Sequence, residues 1–491
     1  MTTNQIPDDQ IGSLAQPSND FSPNVHAVGG SSHSPARVSI QGRGRGRKQV
    51  CHGVGVLDNS NLLRPVPVAL ALLAFGILCT LIDSRFYRYL VHERDLMHGN
   101  LALYGYLALC TAMFVAFAGI GTYFIKRVSP SSEPWIDTVT TRKDSVVSAI
   151  MWSAIILGLV LTVIRLFYLN STIGLSVILN GLNGSGSQLR DRIIEVIANG
   201  SVGWISDVTL GLSSAVLWIA IQVKSRRRRW FMTLAYANLA VFVFANLLTL
   251  SRDIMLTGIL IAIILQVGTL ASNGALGKIR LFFTTTIGVI AFAVLFSFVG
   301  QSRSSSAQND IAAQFVGYFP ASYNRLAALI DNKMQFPNSN WGYYTTQLFW
   351  DFPVVTNIYD LHDIGKNAGL DIPKTTIENW NNQFISVTSA GLNRSYIWTT
   401  AYGFAFSDFG WFGSLVFGLF GLLGSILYSL FRQGKLLGGI LYPYFLTTVI
   451  KWWSILYFSS RTTDVMLLVV GFIAIMTWFF NTARVRLASR T

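Results

Sequence analysis

The stretch KSRRRRWFMTLAYANLAVFVFANLLTLSRDIMLTGILIAIILQVGTL, residues 224–270, decides the fold. Five basic residues precede an apolar run, a short Ser251-Arg252-Asp253 turn interrupts it, and a second apolar run follows. An α-helix needs about 20 apolar residues to cross the hydrocarbon of a bilayer. Two such runs joined by a polar turn read as neighbouring membrane spans, with the turn on one side and the basic run on the other.

Working outward, the same pattern repeats along the chain. Uncharged apolar runs fall near 66–82, 101–125, 146–168, 202–223, 230–250, 254–272, 281–299, 403–431, 436–458 and 463–481, giving about ten transmembrane helices. The composition agrees: 52% of the 491 residues are hydrophobic and only 12% charged, a balance typical of a polytopic membrane protein. The expected fold class is an all-α polytopic membrane protein, in which residues 63–299 carry helices 1–7 and residues 403–482 carry helices 8–10. Residues 300–402 form one large loop, and residues 1–62 and 483–491 are tails. Cys51, Cys79 and Cys110 give neither a disulfide framework nor a zinc spacing.

The net charge of +14 is topological before it is anything else. With the amino terminus in the cytoplasm, the connections containing KRVSPSSEPWIDTVTTRKD, KSRRRR, GKIR and RQGK and the terminal RVRLASR all fall inside, as the positive-inside rule expects. An even number of spans returns the carboxyl terminus to the same side, and loop 300–402 lies outside. The first 62 residues are rich in Ser, Asn, Pro and Gly and read as a disordered tail. The GRGRGRK run at 42–48 lacks the interleaved aromatics of a nucleic-acid site, so contact with anionic lipid is the expectation and no nucleic acid is expected. No cleavable signal peptide is expected, since the first apolar run starts some sixty residues in.

On this topology a Ser-Arg pair recurs at three outer boundaries: LTLSRDIML at Arg252, SFVGQSRSSSAQND at Arg303 and LYFSSRTTDVML at Arg461. Arg165 and Lys451 lie within spans but near the same surface. Cations at that depth are costly unless they snorkel or pair, so a group of them points either to interface anchoring or to a buried anion site. Guanidinium groups match phosphate oxygens with paired, charge-assisted hydrogen bonds, and the phosphate class that resides at this depth is a polyprenyl pyrophosphate.

The segment TTAYGFAFSDFGWFGSLVFGLFGLLGSILYSLF, residues 399–431, resembles the segment after the large loop of bacterial O-antigen and oligosaccharide repeat-unit polymerases, where Asp-Phe-Gly and a following Gly open a glycine-rich span. The LTLSRDIML and SSRTTDVML turns resemble that family too, and the long basic tail departs from it. The resemblance implies a GT-C-like fold and a metal-independent, inverting glycosyltransferase without a cofactor, at the periplasmic face of the bacterial inner membrane. The donor would be a glycan on undecaprenyl pyrophosphate and the acceptor a lipid-linked repeat unit. Arg252, Arg303 and Arg461, with Arg394 in the late loop, would hold the pyrophosphate and stabilise leaving-group charge. Membrane lipids and a chain-length regulator are the other implied partners.

Transfer to a hydroxyl calls for a base. His362, in YDLHDIG between Asp360 and Asp363, is the only histidine of the large loop, and the alternative is a solvated loop residue. Asp408, in SDFGWFG, is a second candidate, or simply the N-cap of the span beginning there. Trp341, Trp350 and Trp398, with Tyr343, Tyr344 and Trp380, offer faces for glycan stacking or for an interfacial belt. Gly403, Gly410, Gly413, Gly418, Gly421 and Gly424 form a small-residue face suited to close helix packing. Two other functions share the layout. An O-antigen ligase uses the same donor, and a carrier or flippase of lipid-linked sugars would show paired repeats and midplane polar sites, which the unequal halves disfavour.

Overall fold

The computed structural model describes residues 63–128, 144–174, 176–178, 203–223, 228–249, 251–270, 311–339, 341–350, 361–370, 376–396 and 398–488, with isolated positions between them. The expected tail 1–62 and nearly all of the expected span 281–299 lie outside this set. The described residues form helices, turns and loops without a strand.

The helices are α1 Pro65–Thr80, α2 Ser84–Val91, α3 Leu101–Val128, α4 Asp144–Ile173, α5 Ile205–Gln222, α6 Arg228–Leu248 and α7 Arg252–Leu270. The expected large loop contributes α8 Ile311–Tyr318, α9 Pro320–Ile330, α10 Gln347–Trp350, α11 Leu361–Asn367 and α12 Thr376–Ser389. After it come α13 Thr400–Phe409, α14 Ser414–Arg432, α15 Leu436–Ile450 and α16 Arg461–Ala488. Among the described residues, six helical stretches are long and apolar enough to cross a membrane, or seven if α1 and α2 count as one span bent by 86°. Exposed apolar side chains on α4 (Trp152, Ile156, Val163, Phe167) and on α16 (Trp478, Phe479) form the outward surface that hydrocarbon would solvate. The protein is a multi-pass membrane protein by this architecture.

At the centre stands α5, whose residues from Ile205 to Ile221 are buried except Val208. Glycines let its neighbours close on it. A Cβ added at Gly439 of α15 would sit 2.0 Å from the Trp218 ring, and one at Gly211 would sit 2.8 Å from Val469 of α16. Lipid tails are as apolar as the side chains, so the association of such helices depends on close contact rather than on water release.

The same device joins α3 to α14. A Cβ at Gly421 would lie 2.1 Å from the Phe114 carbonyl oxygen, and the Ser425 hydroxyl donates to the Ala118 carbonyl at 2.9 Å. Gly413 faces Tyr106 and Gly418 faces Phe117, so the two helices run side by side in one direction. The glycine face therefore serves packing, except at Gly410, which has open space around it and a φ of +57°.

That positive φ marks a break the sequence did not reveal. The Tyr402 and Phe417 rings stack with centroids 4.7 Å apart, although 15 residues of straight helix would separate them by ~22 Å. The expected span 403–431 is thus a sharp reversal at Gly410–Gly413, with α14 alone supplying the crossing length. The expected span 436–458 likewise stops at Ile450. Residues 451–460 continue as turns and a short 3-10 helix at Tyr457–Ser459, with the Trp452 carbonyl accepting the Ala401 amide at 2.7 Å.

Within the expected large loop, α9 is packed into the bundle. Every residue of α9 from Pro320 to Leu329 is buried, and Tyr323 sits against Gly76 of α1.

Candidate functional site

Four charged residues of the apolar bundle collect at one end of it. Asp207 is the third residue of α5, Asp253 the second of α7, Arg461 the first of α16, and Lys451 follows the last residue of α15. All lie within two turns of a helix end, and their mutual contacts show that these ends share one side.

Two ion pairs define the site. Arg461 donates from Nε and Nη2 to Asp207 Oδ2 at 3.3 and 3.2 Å, and the Thr462 hydroxyl donates to Asp207 Oδ1 at 3.0 Å. Both Asp207 oxygens are thereby engaged. The Arg461 side chain is 39% exposed and that of Asp207 only 3%. In the second pair, Lys451 Nζ donates to Asp253 Oδ1 at 2.5 Å and to the Thr257 hydroxyl at 3.0 Å, and lies 3.6 Å from the Tyr457 ring centroid. Here the exposure is reversed, with Lys451 at 6% and Asp253 at 45%. One pair presents a cation and the other an anion.

A hydrogen-bonded bridge connects them. The Tyr444 hydroxyl donates to the Tyr457 carbonyl at 3.2 Å, and the Thr463 hydroxyl donates to Tyr444 at 3.3 Å. Beside this cluster, the buried Arg165 of α4 donates to the Asn246 side-chain oxygen at 3.0 Å and to the Thr249 hydroxyl at 3.1 Å. Thr249 in turn donates to Ser251, the residue before Arg252.

The expected arginines divide accordingly. Arg461 is in the site, and Arg252 opens α7 next to Asp253, its side chain lying outside the described set. Arg303 lies outside the described residues. Arg394 is exposed on a loop that belongs to a different cluster. There Glu93 and Arg325, both fully buried, pair at 2.9 and 3.1 Å, and Glu93 also accepts from Tyr87, Asn324 and the Asn393 amide. Arg325 returns a bond to the Asn393 carbonyl at 2.9 Å. This clamp fastens α9 and the 390–396 loop to the turn between α2 and α3.

His362 sits in the first turn of α11, its side chain outside the described set. Asp408 is corrected as a cap: it ends α13 instead of opening a span, and it accepts the Tyr344 and Thr345 amides at 3.3 and 2.7 Å. Buried at 2% exposure with both oxygens engaged, it anchors the aromatic loop. In that loop Trp341 and Trp350 pack edge to face at 5.5 Å, and Trp350 Nε1 donates to Thr346. Trp398 is half-buried and the Trp380 side chain lies outside the described residues.

Asp207 and Asp253 were not singled out by the sequence. The available signal was an acid at the very start of an apolar run, since an ionisable residue in a membrane span marks a functional position by default. Comparison with family models, curated proteins and solved structures finds no match to this chain.

Proposed function

We propose that this chain is a glycosyltransferase of the bacterial inner membrane that polymerises undecaprenyl-pyrophosphate-linked oligosaccharide repeat units into O-antigen or exopolysaccharide. The observation that carries the reading is Arg461: a half-exposed guanidinium held by a buried carboxylate, at the same end of an apolar bundle as Lys451, Arg165 and the start of α7 at Arg252. The Nε–Nη2 edge engages Asp207, and the Nη1 side is available to an anion. A diphosphate leaving group needs such a preorganised cation where its charge develops.

In this reading the site end faces the periplasm. Arg228, Arg229, Arg432 and Lys435 stand at the opposite end, where the positive-inside rule places cytoplasmic residues. Ten spans, both termini in the cytoplasm and a GT-C-like arrangement complete the proposal, together with membrane lipids and a chain-length regulator as partners. In this reading the loop helices, fastened by Glu93–Arg325 and Asp408, carry the aromatic faces for sugar. Charge stabilisation is assigned to arginine and needs no metal.

The test is a glycan ladder from cells lacking this protein. Single-repeat capped glycans alone support the polymerase. Polymer retained on the carrier lipid with no capped glycan supports a ligase instead, and an unchanged ladder with lost solute uptake supports a carrier.

A further inference from the structure

The carboxylates of the helix-end pairs and of the two clamps differ in access. Asp207 is buried with both oxygens bonded, Asp464 is buried at 3% exposure, and Asp408 spends both oxygens on backbone amides. Glu93 is enclosed in its clamp. Asp253, by contrast, combines a 45% exposed side chain with a fixed position next to the Arg461–Asp207 pair, because Lys451 holds Oδ1 while Thr257 and the Tyr457 ring hold Lys451.

We propose that Asp253 is the catalytic base that receives the acceptor hydroxyl proton, with Lys451 as its positioning residue. The inference rests on the glycosyltransferase reading above and replaces His362 and Asp408 in that role. The geometry that motivates it is the opposite polarity of the two pairs, joined through Tyr457, Tyr444 and Thr463. An inverting transfer is served by a base on the acceptor side of the anomeric carbon, a role a carboxylate can fill, and by positive charge on the leaving-group side. The acceptor oxygen forms its bond to the anomeric carbon as the bond from that carbon to the pyrophosphate oxygen breaks. The bonding pair departs with undecaprenyl pyrophosphate toward Arg461, and the hydroxyl proton passes to Asp253, which later yields it to water.

Lys451 has a distinct task. Its ammonium makes contacts on three sides within the protein, to Asp253, Thr257 and Tyr457. It is therefore assigned to holding the carboxylate, while Arg461 is assigned to the diphosphate.

The experiment uses the full chain in liposomes, with lipid-linked repeat units extracted from source cells lacking the protein. Initial elongation rates, donor retention and products with added azide are measured for wild type, Asp253→Asn, Asp253→Glu, Asp253→Ala and Lys451→Met. Asp253→Asn should lower kcat by about 10²-fold or more with donor retention unchanged. Asp253→Glu should retain part of the rate, which shows that the altered site still folds. Azide carries no proton to remove, so Asp253→Ala should form a glycosyl azide while failing to elongate. Lys451→Met should lower kcat more than it raises KM. Wild-type-like elongation by Asp253→Asn, or loss of the azide product together with elongation in Asp253→Ala, overturns the role of Asp253 while an active wild type leaves the polymerase reading standing. No elongation by the wild type overturns both.

Discussion

Arg461, the first residue of α16, and Asp207, in the first turn of α5, meet at 3.2 Å across 254 residues of sequence. The acid is buried and the base half-exposed, so the pair is directional: the carboxylate fixes the guanidinium and the guanidinium faces outward. An arginine that merely snorkelled to the membrane surface would not need a buried acid beneath it.

Removing Arg461 should therefore cost both function and local order. Arg461→Ala is expected to reduce polymer formation by about 10²–10³-fold, the effect of deleting one preorganised charge contact. Arg461→Lys keeps the charge but loses the two-point grip on Asp207, and should recover only part of the activity. Length distributions on a glycan gel, normalised to membrane-inserted protein, check this.

Asp408 should behave as an anchor. Asp408→Asn retains one acceptor for the Thr345 amide and should keep most activity, whereas Asp408→Ala frees residues 341–346 and should raise their protease sensitivity. Near-complete loss of activity in Asp408→Asn with an intact loop would instead support the base role that its sequence context suggested.

The Glu93–Arg325 pair should carry stability rather than chemistry. Breaking a fully buried ion pair from one side costs about 3–5 kcal/mol, because the remaining charge is stranded. Glu93→Gln and Arg325→Met should each lower the melting temperature in detergent and expose the 390–396 loop to cleavage. The folded fraction that survives should elongate at the wild-type rate per molecule.

Glycine packing makes a paired prediction. Gly421→Ala drives a methyl into the Phe114 backbone and should destabilise by about 1–3 kcal/mol, while Gly471→Ala, with nothing within 4 Å, should be neutral. Thermal unfolding of both variants in one detergent tests the close α3–α14 contact directly.

Charge stabilisation by arginine also predicts that a chelator leaves elongation unchanged. Activity lost to chelation and restored by a divalent ion would contradict the metal-independent chemistry.

Most helix positions were legible in the sequence because hydrocarbon imposes a length and an absence of charge. The expected runs 101–125, 146–168, 202–223 and 230–250 correspond to α3, α4, α5 and α6 within a few residues at most ends. The reversal at Gly410 was not legible, because α13 and α14 are both apolar and a continuous greasy run reads alike whether straight or folded back. The end of α15 at Ile450 was hidden for a similar reason. WWSILYF continues the hydropathy after the helix stops, and the carbonyl of Trp452 finds its partner 51 residues upstream at Ala401. Of the site, the cation Arg461 was visible from its recurring Ser-Arg context, whereas Asp207 and Asp253 gain their meaning only from the partners that folding brings to them.

The most direct test of the polymerase account is elongation by purified full-length protein in liposomes given extracted lipid-linked repeat units, measured for wild type and Arg461→Ala. The account predicts a ladder of lengthening glycans on the carrier lipid from the wild type, and only the single-repeat species, with weakened donor retention, from the variant. A wild-type protein that yields no ladder, or an Arg461→Ala ladder equal to that of the wild type, would contradict it.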